Sequence, residues 1–365
     1  MQTIFTADKI FSGSDWLPDH AIVTENESIV DVLPLVSLPA NQAISKHLPV
    51  IVPAFIDVQI YGAGGKLFAT YPTIESLQML YEHCVAGGTY YFLPTAATNT
   101  MEVFYQCIDA IKKYWEQNGK GVLGLHLEGP WINKSKRGAH IEGLIHSPTT
   151  DDVKKLLSYG KDVIKIITLA PEVCSQEVVD LILSEDIIIS AGHSNATFAE
   201  GINAFDRGIP AATHLFNAMS PMHHREPGLP GAIMQHSSVM ASIIPDGFHV
   251  DFNMISIAKR IMKERLFIIT DAVTETNEGW YPHQLAGANP DSYRYEANGI
   301  LSGSALTMVK AIKNLIDKTD IELPEALRMA SLYPARLLGI SNRVGMIKKG
   351  YKANMVFLDE SLNVI

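Results

Sequence analysis

Two apolar runs in the middle of the chain each lead to a histidine. "IIISAGHSNATF" brings one to His193, and "IPAATHLFNAM" brings the next to His214. Upstream, "GLHLEGPW" closes a run with His126 and Glu128; downstream, "FIITDAV" closes one with Asp271. Polar residues also end "FIDVQIYG" (Asp57, Gln59, Tyr61) and "IIPDGFHV" (Asp246, His249). Two imidazoles and a carboxylate meeting at one point suit Zn²⁺ or a similar ion, with a fourth position open for water. A further carboxylate beside that water suits hydrolysis, because it can take the water's proton and return it to the leaving group. Each residue also has a plainer reading. A histidine can be a hydrogen-bonded core residue, Glu128 a cap or ion-pair partner, Asp271 the cap of a following helix, and Asp246 with His249 the closure of a turn. The joint pattern favours chemistry: three ligand-type residues end three separate runs, and a spare carboxylate ends the last.

Such residues need a scaffold that brings run ends together. Eight short apolar runs follow one another: "VIVPAFIDV", "GTYYFLPT", "GVLGLHLE", "VIKIITLAP", "DIIISAG", "IPAATH", "VMASIIPD" and "RLFIITDA". Amphipathic stretches such as "TIESLQMLYEHCVAG" and "NMISIAKRIMKE" lie between several of them, the pattern of repeated βα units. Eight units fit an α/β fold of the (β/α)₈ TIM-type barrel class, typically roughly 250 residues long, whose chemistry sits on the rim at the strand C-termini. Side chains alternate along a strand, so His126 and Glu128 share a face, as do Asp57, Gln59 and Tyr61. A doubly wound sheet is the alternative, but no glycine-rich phosphate fingerprint follows the first run. "YGAGG" (Tyr61–Gly65) reads as a flexible loop. Beyond the eighth run, "SALTMVKAIKNLIDKT" and "LPEALRMASLYPARLLG" read as helices. The first fifty or so residues and the tail "GMIKKGYKANMVFLDESLNVI" both read as short strands, which pair into a small domain beside the barrel. The expected division is 1–50 with 340–365 for the small domain, and 51–339 for the barrel.

Composition narrows the partners. With 47% apolar and 19% charged residues the chain is globular, and its formal charge of −10 argues against nucleic acid or an anionic membrane as partner. A small anion would still need a local cation, and Arg225 in "HHREPG" offers a guanidinium suited to phosphate; a solvated surface arginine is the alternative. Cys84, Cys107 and Cys174 form neither a zinc spacing nor a disulfide framework, as expected of a reducing compartment. The start "MQTIFTADKIFSGSDW" has no signal-peptide pattern, and no run reaches 18 apolar residues. A cytoplasmic protein is expected.

The motifs "GLHLEGPW", "AGHSNAT", "THLFNAM", "REPGLPGA", "DGFHV", "TDA" and "LSGSALTM" occur in an order that resembles the N-acetylglucosamine-6-phosphate deacetylase family of the amidohydrolase superfamily. The resemblance runs nearly end to end. "HLEGP" with "THLFNAM" is specific to this group, whereas "GHS" or "TDA" alone would carry little. The resemblance implies a (β/α)₈ barrel with a small β-sandwich formed by both termini. It makes Glu128, His193 and His214 the ligands of one divalent metal ion per subunit, Zn²⁺ or Fe²⁺, and Asp271 the catalytic base and acid. Around a phosphosugar substrate it places Ala139, His140, Asn217, Ala218, Arg225, His249, Leu301, Ser302 and Gly303. It also implies a homodimer whose subunits share the phosphate site.

Departures from the pattern carry information of their own. The wider superfamily has His-x-His at the end of the first strand, supplying a second metal site; here Gln59 and Tyr61 stand there as remnants. An amide and a phenol are poor ligands for a transition metal, so a mononuclear site is expected. Asn354 in "KANMVFLD" replaces a common Asp and reads as a structural variation. The chain ends at Ile365, earlier than family members usually do, so a last strand of the small domain is expected to be missing. Within enzymes, the rivals are a galacto-configured phosphosugar or a cyclic imide as substrate. Outside them, the rival is a non-catalytic amidohydrolase-like protein.

Overall fold

Residues 2–39, 42–297 and 299–365 are described by a computed structural model of the chain. Eight parallel strands form its central sheet in sequence order: Phe55–Ile60, Thr89–Ala97, Leu125–Glu128, Ile164–Leu169, Ile188–Ala191, Ala211–Ala212, Met240–Ile243 and Leu266–Ile268. The sheet closes on itself beyond the eighth strand. Asp271 N donates to Gln59 O at 3.0 Å, and Tyr61 N to Ala272 O at 2.9 Å. Each of the eight runs read from the sequence contributes a strand to this barrel.

A helix follows each strand, and the chain signals where most of them start. Thr73, Thr100, Thr149, Ser175, Thr197, Asp251 and Thr307 each precede a helix and accept a hydrogen bond from a backbone N–H of its first turn. Such caps satisfy donors that have no partner inside the helix. In Thr150–Gly160 the buried positions Val153, Leu156, Leu157 and Gly160 recur at three- and four-residue intervals, so one stripe faces the barrel.

The first predicted run proves to be two strands. Lys46–Pro53 belongs to a separate six-stranded sheet with Gln2–Phe11, Trp16–Leu17, His20–Glu25, Ser28–Pro34 and Met355–Leu358, and the barrel starts only at Phe55. This small sheet, built from both ends of the chain, buries Ile10, Ile22, Ile29, Leu48, Ile51, Ile347 and Met355 as its own core. Two expectations need correction. "YGAGG" is a tight two-stranded ribbon: Gly62–Ala63 pairs with Lys66–Leu67 across Gly64 and Gly65, whose φ angles of 59° and 83° suit glycine. The stretch before the last barrel helix, read as helix from Ser304, is instead a strand, Ile300–Ser304, and the helix begins at Met308. That strand joins Gln284–Ala286 and Arg294–Ala297 in a three-stranded antiparallel sheet that the sequence reading did not anticipate.

Candidate metal centre and the cavity around it

The strand ends do more than stop. His193, His214 and Asp271 have φ angles of 47°, 37° and 52°, the left-handed region that non-glycine residues avoid. Such conformations cost on the order of 1–3 kcal/mol each and persist only where the surroundings enforce them. Here they are pinned: His214 N donates to Ser242 Oγ at 2.8 Å, Asn133 N to His193 O at 2.9 Å, and Asp271 N to Gln59 O at 3.0 Å. These residues follow just beyond the strand ends, and the reversed backbone sets each side chain on the cavity at the barrel mouth. Gly303 gives the same region its space: a Cβ there (φ 118°) would stand 2.7 Å from Val273 Cγ1 and 3.1 Å from Asp271 O.

At the centre is Glu128, 2% exposed. Its Oε1 lies 3.1 Å from His214 Nε2 and 3.3 Å from His193 Nε2, and the two Nε2 atoms are 3.1 Å apart. Burial by itself would raise the Glu128 carboxyl, but the imidazoles of His193, His140 and His214 hold it well below its ordinary value. Asp271 goes the other way. Burial, and then the charge of Glu128, push its carboxyl well above the usual range.

A metal could take its third ligand from either of two histidines, because Glu128, His140 and His193 also present donor atoms within 4.8 Å of one another. Hydrogen bonds decide between them. The Thr98 backbone N–H donates to His140 Nδ1 at 3.3 Å, which puts the proton of neutral His140 on Nε2, where it donates to Glu128 Oε2 at 3.2 Å. Burial lowers this imidazole to about 4, so it is neutral near pH 7. In His193 the roles are reversed: Nδ1 donates to Lys136 O at 2.9 Å, leaving an Nε2 lone pair aimed at Glu128. Burial lowers His214 as well. Its Nδ1 has no partner among the described residues, so only Nε2 engages the cluster. Two nitrogens crowding one carboxylate oxygen is a donor set that a divalent cation satisfies, so Glu128, His193 and His214 fit the ion and His140 fits a hydrogen-bond donor.

These groups line a cavity of about 430 Å³, within the usual range for small-ligand sites. Ala139, His140, Asn217 and Ala218 face it, as do His249, Leu301, Ser302 and Gly303. The His249 Nδ1–H donates to Asp246 Oδ2 at 2.6 Å. Asn217 donates to His214 O at 3.3 Å, bracing the turn that carries that histidine. Arg225 is the exception: it is exposed, and it does not line the cavity of its own chain. Among the described lining residues the single Lys or Arg is Lys136, which the sequence reading passed over. Thr98 and Tyr281 were missed too. Tyr281 lines the cavity and donates its hydroxyl to Thr98 O at 2.5 Å. Backbone carbonyls and amides that set a histidine's tautomer leave no signature in a sequence; the lysine-rich "NKSKRGAH" was the visible clue to Lys136.

His126 takes the plainer course. Its Nδ1 donates to Val58 O at 2.8 Å, its Nε2 accepts from Thr168 Oγ1 at 2.8 Å, and burial lowers it to about 4. It is a satisfied core histidine.

Known proteins resemble this chain in sequence and fold. A model of the amidohydrolase family matches residues 50–364, and one described as the NagA composite domain matches residues 4–46. The N-acetylglucosamine-6-phosphate deacetylase of Haemophilus influenzae is 33% identical over 366 residues, covering 98% of this chain and 95% of that relative. The N-acetylgalactosamine-6-phosphate deacetylase of Escherichia coli O157:H7 is 30% identical, covering 100% of this chain and 97% of that relative. A crystal structure of N-acetylglucosamine-6-phosphate deacetylase from Pasteurella multocida superposes with a TM-score of 0.93 at 31% identity, covering 100% of this chain and 97% of that one. Together with the closed eight-stranded barrel and the acid-imidazole cluster at its mouth, these matches show that the chain belongs to the amidohydrolase family, in the branch that holds the amino-sugar-phosphate deacetylases.

Proposed function

We propose that the chain hydrolyses the acetamide of N-acetylglucosamine 6-phosphate, releasing acetate and glucosamine 6-phosphate. The observation that carries this reading is the approach of His193 Nε2 and His214 Nε2 to within 3.3 Å of Glu128 Oε1, with Asp271 lining the same cavity. Glu128, His193 and His214 would hold one divalent cation, Zn²⁺ by preference of the ligand set and Fe²⁺ by the same chemistry. Bound there, the cation supplies Lewis acidity toward the amide carbonyl and lowers the pKa of a water to about 7. Gln59 and Tyr61 are poor ligands, which supports a single ion.

Asp271 takes the proton of the attacking water and delivers it to the departing amine. Ionised Asp246 orients His249 through Nδ1, leaving Nε2 without a partner among the described residues; only the doubly protonated ring would donate from Nε2 to the developing oxyanion. His140, fixed as a donor by Thr98, holds Glu128 Oε2. Ala139, Asn217, Ala218, Leu301, Ser302 and Gly303 shape the sugar site.

An acidic chain needs a cation for the phosphate. Arg225 stands exposed outside its own cavity, which fits a homodimer in which it reaches the cavity of the second subunit. Residues 1–50 with 340–365 and residues 51–339 are our division of the subunit, with the small-sheet strand Lys46–Pro53 running across the first boundary. Among the described residues no helix is long and apolar enough to cross a membrane; a cytoplasmic setting is our reading, consistent with three free cysteines. The relatives include both gluco- and galacto-named enzymes, and the gluco assignment follows the greater similarity to the former. The test is acetate release from N-acetylglucosamine 6-phosphate, its galacto epimer and unphosphorylated N-acetylglucosamine, with elemental analysis of the purified protein. Equal rates with and without the phosphate, or protein active after its metal is stripped, would defeat the reading.

A further inference from the structure

Gln59 and Tyr61 are more than gaps where metal ligands are missing. Gln59 Nε2 lies 2.9 Å from Glu128 Oε1, 2.8 Å from Asp271 Oδ1 and 2.8 Å from the Tyr61 hydroxyl. The Tyr61 hydroxyl lies 2.5 Å from Glu128 Oε2 and 3.4 Å from Asp271 Oδ1. Protons can be assigned by counting. A phenol has one, and the short distance gives it to Glu128 Oε2. An amide NH₂ has two, and its carboxylate neighbours are Glu128 Oε1 and Asp271 Oδ1.

Charge-assisted hydrogen bonds of this kind are the stronger ones, and here they are buried, where they gain further. The outcome treats the two oxygens of each carboxylate differently. Glu128 Oε2 is taken by Tyr61 and His140, while Oε1 accepts from Gln59 Nε2 at 2.9 Å and is turned toward the imidazole pair. Asp271 Oδ1 is taken by Gln59, while Oδ2 makes no hydrogen bond among the described residues of this cavity-lining side chain.

We infer that Tyr61 and Gln59 are positioning residues, a neutral clamp that sorts the oxygens of Glu128 and Asp271. Glu128 Oε1, held by the single Gln59 hydrogen bond, keeps a lone pair for the cation, and Asp271 Oδ2 is left for the water's proton. The clamp also bridges two carboxylates that would otherwise repel. It rests on the functional reading above, and it acts through the two acids; Gln59 lies outside the cavity lining, and Tyr61, which lines it, acts through Glu128.

Tyr61→Phe removes one hydroxyl and keeps the ring, so it isolates the proposal. Loss of such an outer hydrogen bond at a metal site typically costs about 10–100-fold in metal affinity or activity. The expected result is a kcat lower by that factor, a KM within about twofold, and metal lost to a competing chelator at roughly 10–100-fold lower chelator concentration. Gln59→Leu should do the same from the other side, and it carries the test should the phenylalanine variant fail to fold. Parental kcat together with parental chelator resistance in either folded variant overturns the clamp. A loss confined to KM overturns it as well, since it would place the pair on the substrate. If the parental protein does not deacetylate the phosphosugar, the functional reading fails, and the chelator arm still decides the clamp.

Discussion

His193 Nε2 and His214 Nε2 lie 3.1 Å apart, each also within 3.3 Å of the same Glu128 oxygen. Two ring nitrogens at that distance need a proton or a cation between them. His193 Nδ1 donates to Lys136 O, so the position is filled by the His214 Nε2 proton or, in its place, by a cation.

From this relationship follows the loss of metal when one nitrogen is removed. His214→Ala should bind the ion more weakly than any variant of an outer partner, for which roughly 10–100-fold is typical. His140→Ala, lacking a donor and not a ligand, should fall within that smaller range. Equilibrium dialysis against zinc distinguishes the two, and a reversed order would exchange the roles of His140 and His214.

Asp271→Asn should keep the parental metal content and lose turnover by about 10²–10⁴-fold, the scale of a positioned acid-base group. Metal analysis and steady-state kinetics on one preparation check it. Turnover at the parental rate would remove Asp271 from the proton path.

Two cations compete for the phosphate. Arg225 is exposed outside the cavity and Lys136 lines it. A charged hydrogen bond contributes about 1.5–3 kcal/mol, so Arg225→Ala should raise KM for the 6-phosphate roughly 10–100-fold and leave the unphosphorylated sugar unchanged. Mixing Arg225→Ala subunits with Asp271→Asn subunits should restore activity if the arginine serves the neighbouring site. If Lys136→Met shows the larger selective loss, the phosphate is held within one subunit.

Asp57 supplies a pH signature unrelated to the metal ligands. Burial raises its carboxyl to about 6 from 3.8, although Thr270 and the Gln59 backbone N–H donate to it. A carboxyl raised on folding binds more protons in the folded state, so stability falls as pH rises from about 4 to 6. The magnitude is at most roughly 3 kcal/mol for a shift of this size. Metal-free Asp57→Asn, compared with the parent by urea unfolding across this range, should lack that fall. Parallel pH profiles would show Asp57 to be ionised in the fold.

What the sequence determined was the repeat and its punctuation. Apolar runs of strand length, threonine and serine caps, and polar residues at run ends specify eight βα units, because alternation and capping act over a few residues. Glu128, His193, His214 and Asp271 were legible for the same reason: each ends a run, and barrel geometry gathers such ends. Tertiary structure alone decided the rest. Whether a histidine offers a lone pair or a proton depends on what meets its other nitrogen, and those partners, Lys136 O for His193 and the Thr98 N–H for His140, are backbone groups 57 and 42 residues away. His126 was settled likewise, by Val58 O and Thr168. The break at Ala54 between two sheets, the antiparallel sheet ending at Ser304, and the clamp of Gln59 and Tyr61 on carboxylates 69 to 212 residues away all arise from contacts between distant segments, which local pattern does not encode.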